Sequence, residues 1–172
     1  MDRGALIDLL ALGETELTSA LTDVSDAEAP VHPSAGKWSI LECVEHVVCS
    51  EVQMLSELTV GVPAGAPRLD PHREERILRR GPDRSVKVES PPAAMPTGRF
   101  RDLAEAAHAF RDVRAQTVAF ARDATHDPGS IDAKHPVVGT VTGRELLLII
   151  AVHARRHALQ VIEIKSALRS NV

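Results

Sequence analysis

The placement of proline constrains this chain more than any other single feature. All eleven prolines fall in three stretches, Pro30 to Pro33, Pro63 to Pro96 and Pro128 to Pro136, and seven of them lie in the middle one. Proline lacks an amide donor and fixes φ, so a helix interior excludes it. Four proline-free segments remain, each long enough for a helix and each with apolar residues at helical spacing. The first, from about Ala5 to Leu21, carries Leu6, Leu9, Leu10, Leu17 and Leu21 on one stripe. The second starts after Trp38, where Ser39 and Glu42 are spaced as a capping box. It runs to about Leu58 on a stripe of Leu41, Val44, Val48, Val52 and Leu55. The third spans about Phe100 to Asp123, with Leu103, Ala106 or Ala107, Phe110, Val113 or Arg114, Thr117, and Phe120 or Ala121 at the required intervals. The fourth opens at a second capping box, Thr142 with Glu145, and continues to about Leu168. Residues 59–99, including the charged piece REERILRR, read as a long connection without regular structure.

This pattern predicts an all-α fold, a four-helix bundle with a long crossover connection between helices two and three. With 172 residues, 44% of them hydrophobic, the chain suffices for one substantial core, and a single domain over residues 1–172 is expected. Aromatic residues make up only 2%, so the interior must be aliphatic, which suits helix packing. A net charge of -4, with Lys and Arg scattered and no aromatic interleaving, argues against a nucleic-acid partner. The apolar run ELLLIIAV is too short to span a membrane, and the acid-interrupted N-terminus lacks a secretory pattern. A cytoplasmic location and no membrane partner are expected. Cys43 and Cys49 fit a reducing compartment and, six residues apart on one helix, should not pair with each other.

The chemistry of the chain lies in LLLIIAVHARRHALQVIEIK. His153 and His157 are one helical turn apart and share a face with Leu146, Ile150, Gln160 and Ile164, so they lie on or beside the stripe that enters the bundle. Buried imidazoles are costly without a partner, and a divalent ion is a suitable one. Two ligands rarely suffice. Helix two offers His46, and one histidine from it with two from helix four would form a three-His site with open coordination positions.

These residues resemble the DinB-like (DinB/YfiT) superfamily of bacterial metal-binding four-helix-bundle proteins, which are unrelated to the DNA polymerase of the same name. The resemblance rests on WSILECVEHV, HPVVGTVTGRELL and HARRHALQ, and extends over nearly the whole chain. It implies that His46, His153 and His157 bind a divalent metal ion, nickel or zinc. It also implies a homodimer acting on a small-molecule substrate. Relatives include transferases and isomerases that use a low-molecular-weight thiol such as bacillithiol or mycothiol, and others described as hydrolases.

Other residues carry weaker signals. Cys43 and Cys49 read as small core residues, and Trp38 as a packing anchor. His135, before Pro136, either orients the loop into the last helix or contacts a substrate. His32, His72, His108 and His126 have no ligand-like spacing. Arg155 is expected to face solvent. Arg156 either reaches a substrate anion or an acid on a neighbouring element, the structural role being favoured. Glu45 points about 100° away from His46 and is not expected to act as a base. Two functional classes follow. In the first, the ion activates a thiol or water for transfer to, or hydrolysis of, an electrophile. In the second, the metal is structural or sensory and the chain is a non-catalytic binding or stress-response module.

Overall fold

The computed structural model describes residues 2–63, 65–123 and 127–170. Four long helices dominate it: α1 (Arg3–Ala20), α2 (Ile40–Val60), α4 (Leu103–Arg122) and α5 (Gly143–Ser170), with a shorter α3 (Pro71–Arg80) between α2 and α4. Both expected capping boxes form. The Ser39 amide donates to Glu42 Oε2 at 2.8 Å and the Glu42 amide to Ser39 Oγ at 3.2 Å. At α5 the Thr142 amide donates to Glu145 Oε2 at 2.8 Å and the Glu145 amide to Thr142 Oγ1 at 3.1 Å. Each box satisfies donors that a helix start leaves unpaired.

α1 and α2 each pack against both α4 and α5. Sequence neighbours α1 and α2 are therefore diagonal in the bundle, which the 19 residues between them permit. Gly13 sets the closest approach of α1 and α5, because a Cβ there would stand 2.6 Å from the Ala151 carbonyl oxygen.

Two regions depart from the all-helical expectation. REERILRR forms most of α3, with Asp70 capping the Arg73 amide at 3.0 Å and Pro71 in the first turn, where its missing donor costs nothing. α3 lies on α5, where the end of α3 at Gly81 has no room for a Cβ against Val152. A buried Glu74–Arg144 ion pair of 2.5 Å ties the two helices together. The second departure is a three-stranded antiparallel sheet of β1 (Val62–Pro63), β2 (Ile131–His135) and β3 (Gly139–Thr142), in that order. Asp132 pairs with Thr142 and His135 with Gly139, whose φ of 76° closes the hairpin. Ile131 and Ala133 face inward and Asp132 and Lys134 outward.

The core divides into two aliphatic clusters, one around Leu17, Ile40, Val44, Phe110 and Val161, the other around Leu6, Leu10, Leu58, Leu147 and Ile150. Between them lie Ser50 and Glu51 on α2, Arg114 and Thr117 on α4, and His153 on α5. The expected stripe of α2 fails at Val52, which is 51% exposed, while Glu51, Met54 and Leu58 are buried instead. Glu51 takes this place because Arg114, at 2.7 Å, and the Thr117 hydroxyl, at 2.8 Å, satisfy its carboxylate inside the bundle. No helix among the described residues is long and apolar enough to cross a membrane.

Candidate metal centre

α2 and α5 pack against each other, and their contact brings His46, His153 and His157 together. His153 Nε2 stands 3.2 Å from His46 Nε2 and 3.1 Å from His157 Nε2. One ligand atom from each ring falls in a set within 4.8 Å, and no cysteine or carboxylate among the described residues joins it. His46 and His157 are buried; His153 is half-buried.

The proton positions follow from the partners. His46 Nδ1 is 2.8 Å from the Ala94 carbonyl, which can only accept, so Nδ1 carries the proton and the Nε2 lone pair points at the other rings. His157 Nδ1 is buried without a hydrogen-bond partner. On three neutral rings a single proton placement pairs all the facing nitrogens, one His153 Nε2–H shared between the His46 and His157 lone pairs. If His153 Nε2–H donates to the neighbouring lone pairs, the proton on His157 Nδ1 is stranded. If His153 accepts from His157 instead, its lone pair faces that of His46. A shared cation would use all three Nε2 lone pairs directly, and it leaves the His157 Nδ1–H as it is, buried without a partner. The two distances to His153 Nε2 also suit a shared ion, since nitrogens about 2.0–2.1 Å from one ion lie roughly 3 Å apart when they subtend somewhat more than a right angle. Anchoring of the non-ligating nitrogen by a backbone carbonyl is the usual support of a ligand histidine. Burial holds the imidazoles below their ordinary pKa, slightly opposed at His46 by the Ala94 bond and reinforced at His153 and His157 by neighbouring rings and arginines. The donors are thus neutral at pH 7, the form that binds metal.

The rest of the site explains why the chain wraps as it does. The 3₁₀ turn Pro92–Ala94 supplies the Ala94 carbonyl to His46 and the Ala93 carbonyl to Gln53 Nε2 at 2.7 Å. Glu45, 1% exposed, accepts from the amides of Thr97, Gly98 and Arg99 at 2.7 to 3.2 Å. Its carboxylate is spent on tying down the connection, in keeping with its orientation away from His46. Trp38 packs its ring 4.8 Å from His46 and 6.5 Å from His157, so the anchor expected at the start of α2 also forms a wall of the site. Ser50 Oγ lies 3.5 Å from His46 Nε2 and Ser90 Oγ 3.3 Å from His46 Nδ1; Ser50 is legible from its place one turn from His46 on α2, whereas no local pattern marks Ser90.

The three histidines lie in the wall of a cleft of about 1980 Å³, also lined by Trp38, Ser50, His135 and Arg156. Among the described residues, His135 Nδ1 accepts from the amides of Val137 and Val138 at 3.2 and 3.3 Å, which orders the hairpin turn. This fixes a neutral tautomer whose Nε2–H is left as a donor, and burial keeps the ring below its ordinary pKa. Arg156 donates to the carbonyls of Asp83 and Val86, at 2.6 Å to the latter, and so bonds backbone rather than an acid. Arg155, expected in solvent, is half-buried and pairs with Glu16 at 2.7 Å, because α1 covers that side of α5. Cys43 and Cys49 are free and buried, and burial pushes the Cys43 thiol up to about 12. His32, His72 and His108 are exposed; His126 lies outside the described residues.

Residues 9–161 match the family model of the DinB superfamily. The uncharacterised protein YuaE of Bacillus subtilis (strain 168) is 28% identical over 153 residues, which cover 87% of this chain and 91% of that protein. Among solved structures, YfiT from Bacillus subtilis, described as a probable metal-dependent hydrolase with an unusual four-helix bundle topology, superposes with a TM-score of 0.61 at 14% identity. The match covers 97% of this chain and 87% of that one. The likeness to YfiT concerns the fold; the match across residues 9–161 shows that the chain belongs to the DinB superfamily.

Proposed function

We propose that this chain is a metal-dependent enzyme in which His46, His153 and His157 hold a divalent ion, nickel or zinc, in the wall of a substrate cleft. The observation that carries the reading is the convergence of three neutral imidazoles from two packed helices, with the His153 Nε2 atom 3.1 and 3.2 Å from the Nε2 atoms of His157 and His46. Three ligands without a fourth protein donor among the described residues favour an open, reactive site over a closed structural one. The description of YfiT as a probable metal-dependent hydrolase points the same way.

Bound there, a divalent ion supplies Lewis acidity, lowering the pKa of a water or a low-molecular-weight thiol and polarising an electrophilic substrate. The chain's own residues do the rest. The Ala94 carbonyl fixes the ring of His46, Trp38 shields two of the imidazoles, and Ser50 Oγ offers a hydroxyl one turn from His46. His135 Nε2–H is a neutral donor in the same cleft. Hydrolysis is the first reaction to test and thiol transfer, with bacillithiol or mycothiol, the second. Nickel- or zinc-loaded protein should turn over activated esters, or couple a thiol to a monochlorobimane-type electrophile, with the rate abolished by a chelator and by His153→Ala. Metal binding without turnover across both panels would favour the structural or sensory reading.

A further inference from the structure

We propose that the cleft beside the three histidines takes a small anionic substrate, with its acid group held by exposed cations of α3, the following connection and β2. The proposal rests on the cleft being the substrate site and names the substrate class. Nine of the chain's 20 lysines and arginines line the cleft, but only four of its 24 carboxylates do, an excess of five positive charges on a protein whose net charge is -4. Arg84 is neutralised by Glu163, at 2.6 and 2.8 Å, and Arg73 pairs with Glu145 at 3.3 Å. Arg76, Arg79, Arg80, Lys87 and Lys134 are exposed and form no ion pair or side-chain hydrogen bond among the described residues; Arg80 comes nearest, its charge adding a minor part to the Ser85 hydrogen bonds that hold Asp83 below the ordinary carboxylate range.

A charge run on a helix is usually a solvated face, and Arg79 and Arg80 also suit the C-terminal end of the α3 dipole. That account does not reach Arg76, Lys87 and Lys134, nor the scarcity of acids in the same cleft. A concave wall of one sign focuses the field and concentrates oppositely charged ligands. The concavity and the near absence of aromatic residues favour a small acid over a nucleic-acid strand, which needs stacking surfaces.

The test is binding of succinate, tricarballylate and neutral succinamide to the full chain, metal-free and zinc-loaded, by calorimetry and amide chemical shifts. The metal-free protein is expected to bind the two acids, tricarballylate more tightly, with weakening at higher salt and no binding of succinamide. R76Q/R79Q/R80Q/K87Q/K134Q should lose at least about tenfold in affinity with its metal content unchanged, whereas R111Q/R122Q/R169Q, on other faces, should not. If the fivefold variant fails to fold, R76Q/K87Q is expected to lose about threefold. Equal binding of succinate and succinamide, or full affinity in the charge-depleted variants, would overturn the proposal. So would tighter binding of a ten-residue thymidine oligonucleotide that the same substitutions abolish. Because the metal-free protein is assayed separately, loss of the metal reading leaves this outcome readable.

Discussion

Ser50 and Glu51 are adjacent on α2 and belong to two polar clusters of opposite character. Glu51 is enclosed with Arg114 and Thr117, where both carboxylate oxygens are bonded and Arg114 NH1 reaches the Leu10 carbonyl at 2.8 Å. Arg114 also lies over the Phe110 ring, 5.3 Å from its centroid. Ser50 borders the three imidazoles, whose Nε2 atoms face one another and which open into a cleft. Both clusters interrupt an aliphatic interior. One is bonded within the chain at every carboxylate oxygen, with Arg114 Nε alone left over, and ties α1, α2 and α4 together; the other gathers three ring nitrogens at the wall of a cleft. Burial of polar groups alone therefore does not mark a functional site. The distinguishing signs are converging ring nitrogens and access.

The largest expected effect tests closure. Glu51→Ala strands the Arg114 guanidinium in the core and should cost about 3–5 kcal/mol in denaturant unfolding. Replacing both partners, Glu51→Leu with Arg114→Met, should recover most of that loss, because the pair is removed together with its desolvation cost. A double variant as unstable as the single one would show that the pair contributes more than mutual satisfaction.

Gly13→Ala comes next. It pushes α1 off the Ala151 carbonyl, two residues from His153, and should cost about 1–3 kcal/mol while leaving metal stoichiometry intact, since no ligand lies on α1.

Acidity separates the clusters further. His153 and His157 have folded-state pKa values well below the ordinary 6.5, so below that pH the unfolded chain binds protons that the folded chain refuses. Stability of the metal-free protein should be level above pH 6.5 and fall as pH drops below it, by about 1.4 kcal/mol per unit for each histidine until the folded-state value is reached. Unfolding midpoints from pH 7.5 to 5 check this, with His157→Leu flattening the slope. A slope unchanged by that substitution would assign the loss to other groups.

The smallest stability effect is that of His157→Leu at pH 7.5. Removing a ring with a stranded nitrogen should leave the metal-free fold unchanged or up to about 1–2 kcal/mol more stable, the reverse of Glu51→Ala.

Much of this arrangement is legible in the sequence because it rests on local patterns. The four long helices follow from apolar spacing between prolines, both capping boxes and the stacking of His153 on His157 follow from helix geometry, and the place of His46 beside them is what the family resemblance implies. α3 is obscured by the prolines around it, although Asp70 followed by Pro71 is itself a helix-start signal. The strands are short and their inward residues, Ile131 and Ala133, too few to establish a period of two. The Glu51–Arg114 pair and the Arg155–Glu16 contact join residues 63 and 139 positions apart, so no local pattern announces them. The same holds for the cationic cleft: arginines that look scattered along the chain gather only when α3 lies down on α5.

The most direct test of the central claim is metal content by mass spectrometry on protein purified without an immobilised-metal column, comparing wild type with His153→Ala. One divalent ion per folded chain, lost in the variant while Glu51→Leu/Arg114→Met retains it, is the predicted result. Wild-type protein that carries no metal and takes up neither nickel nor zinc when they are added would contradict it.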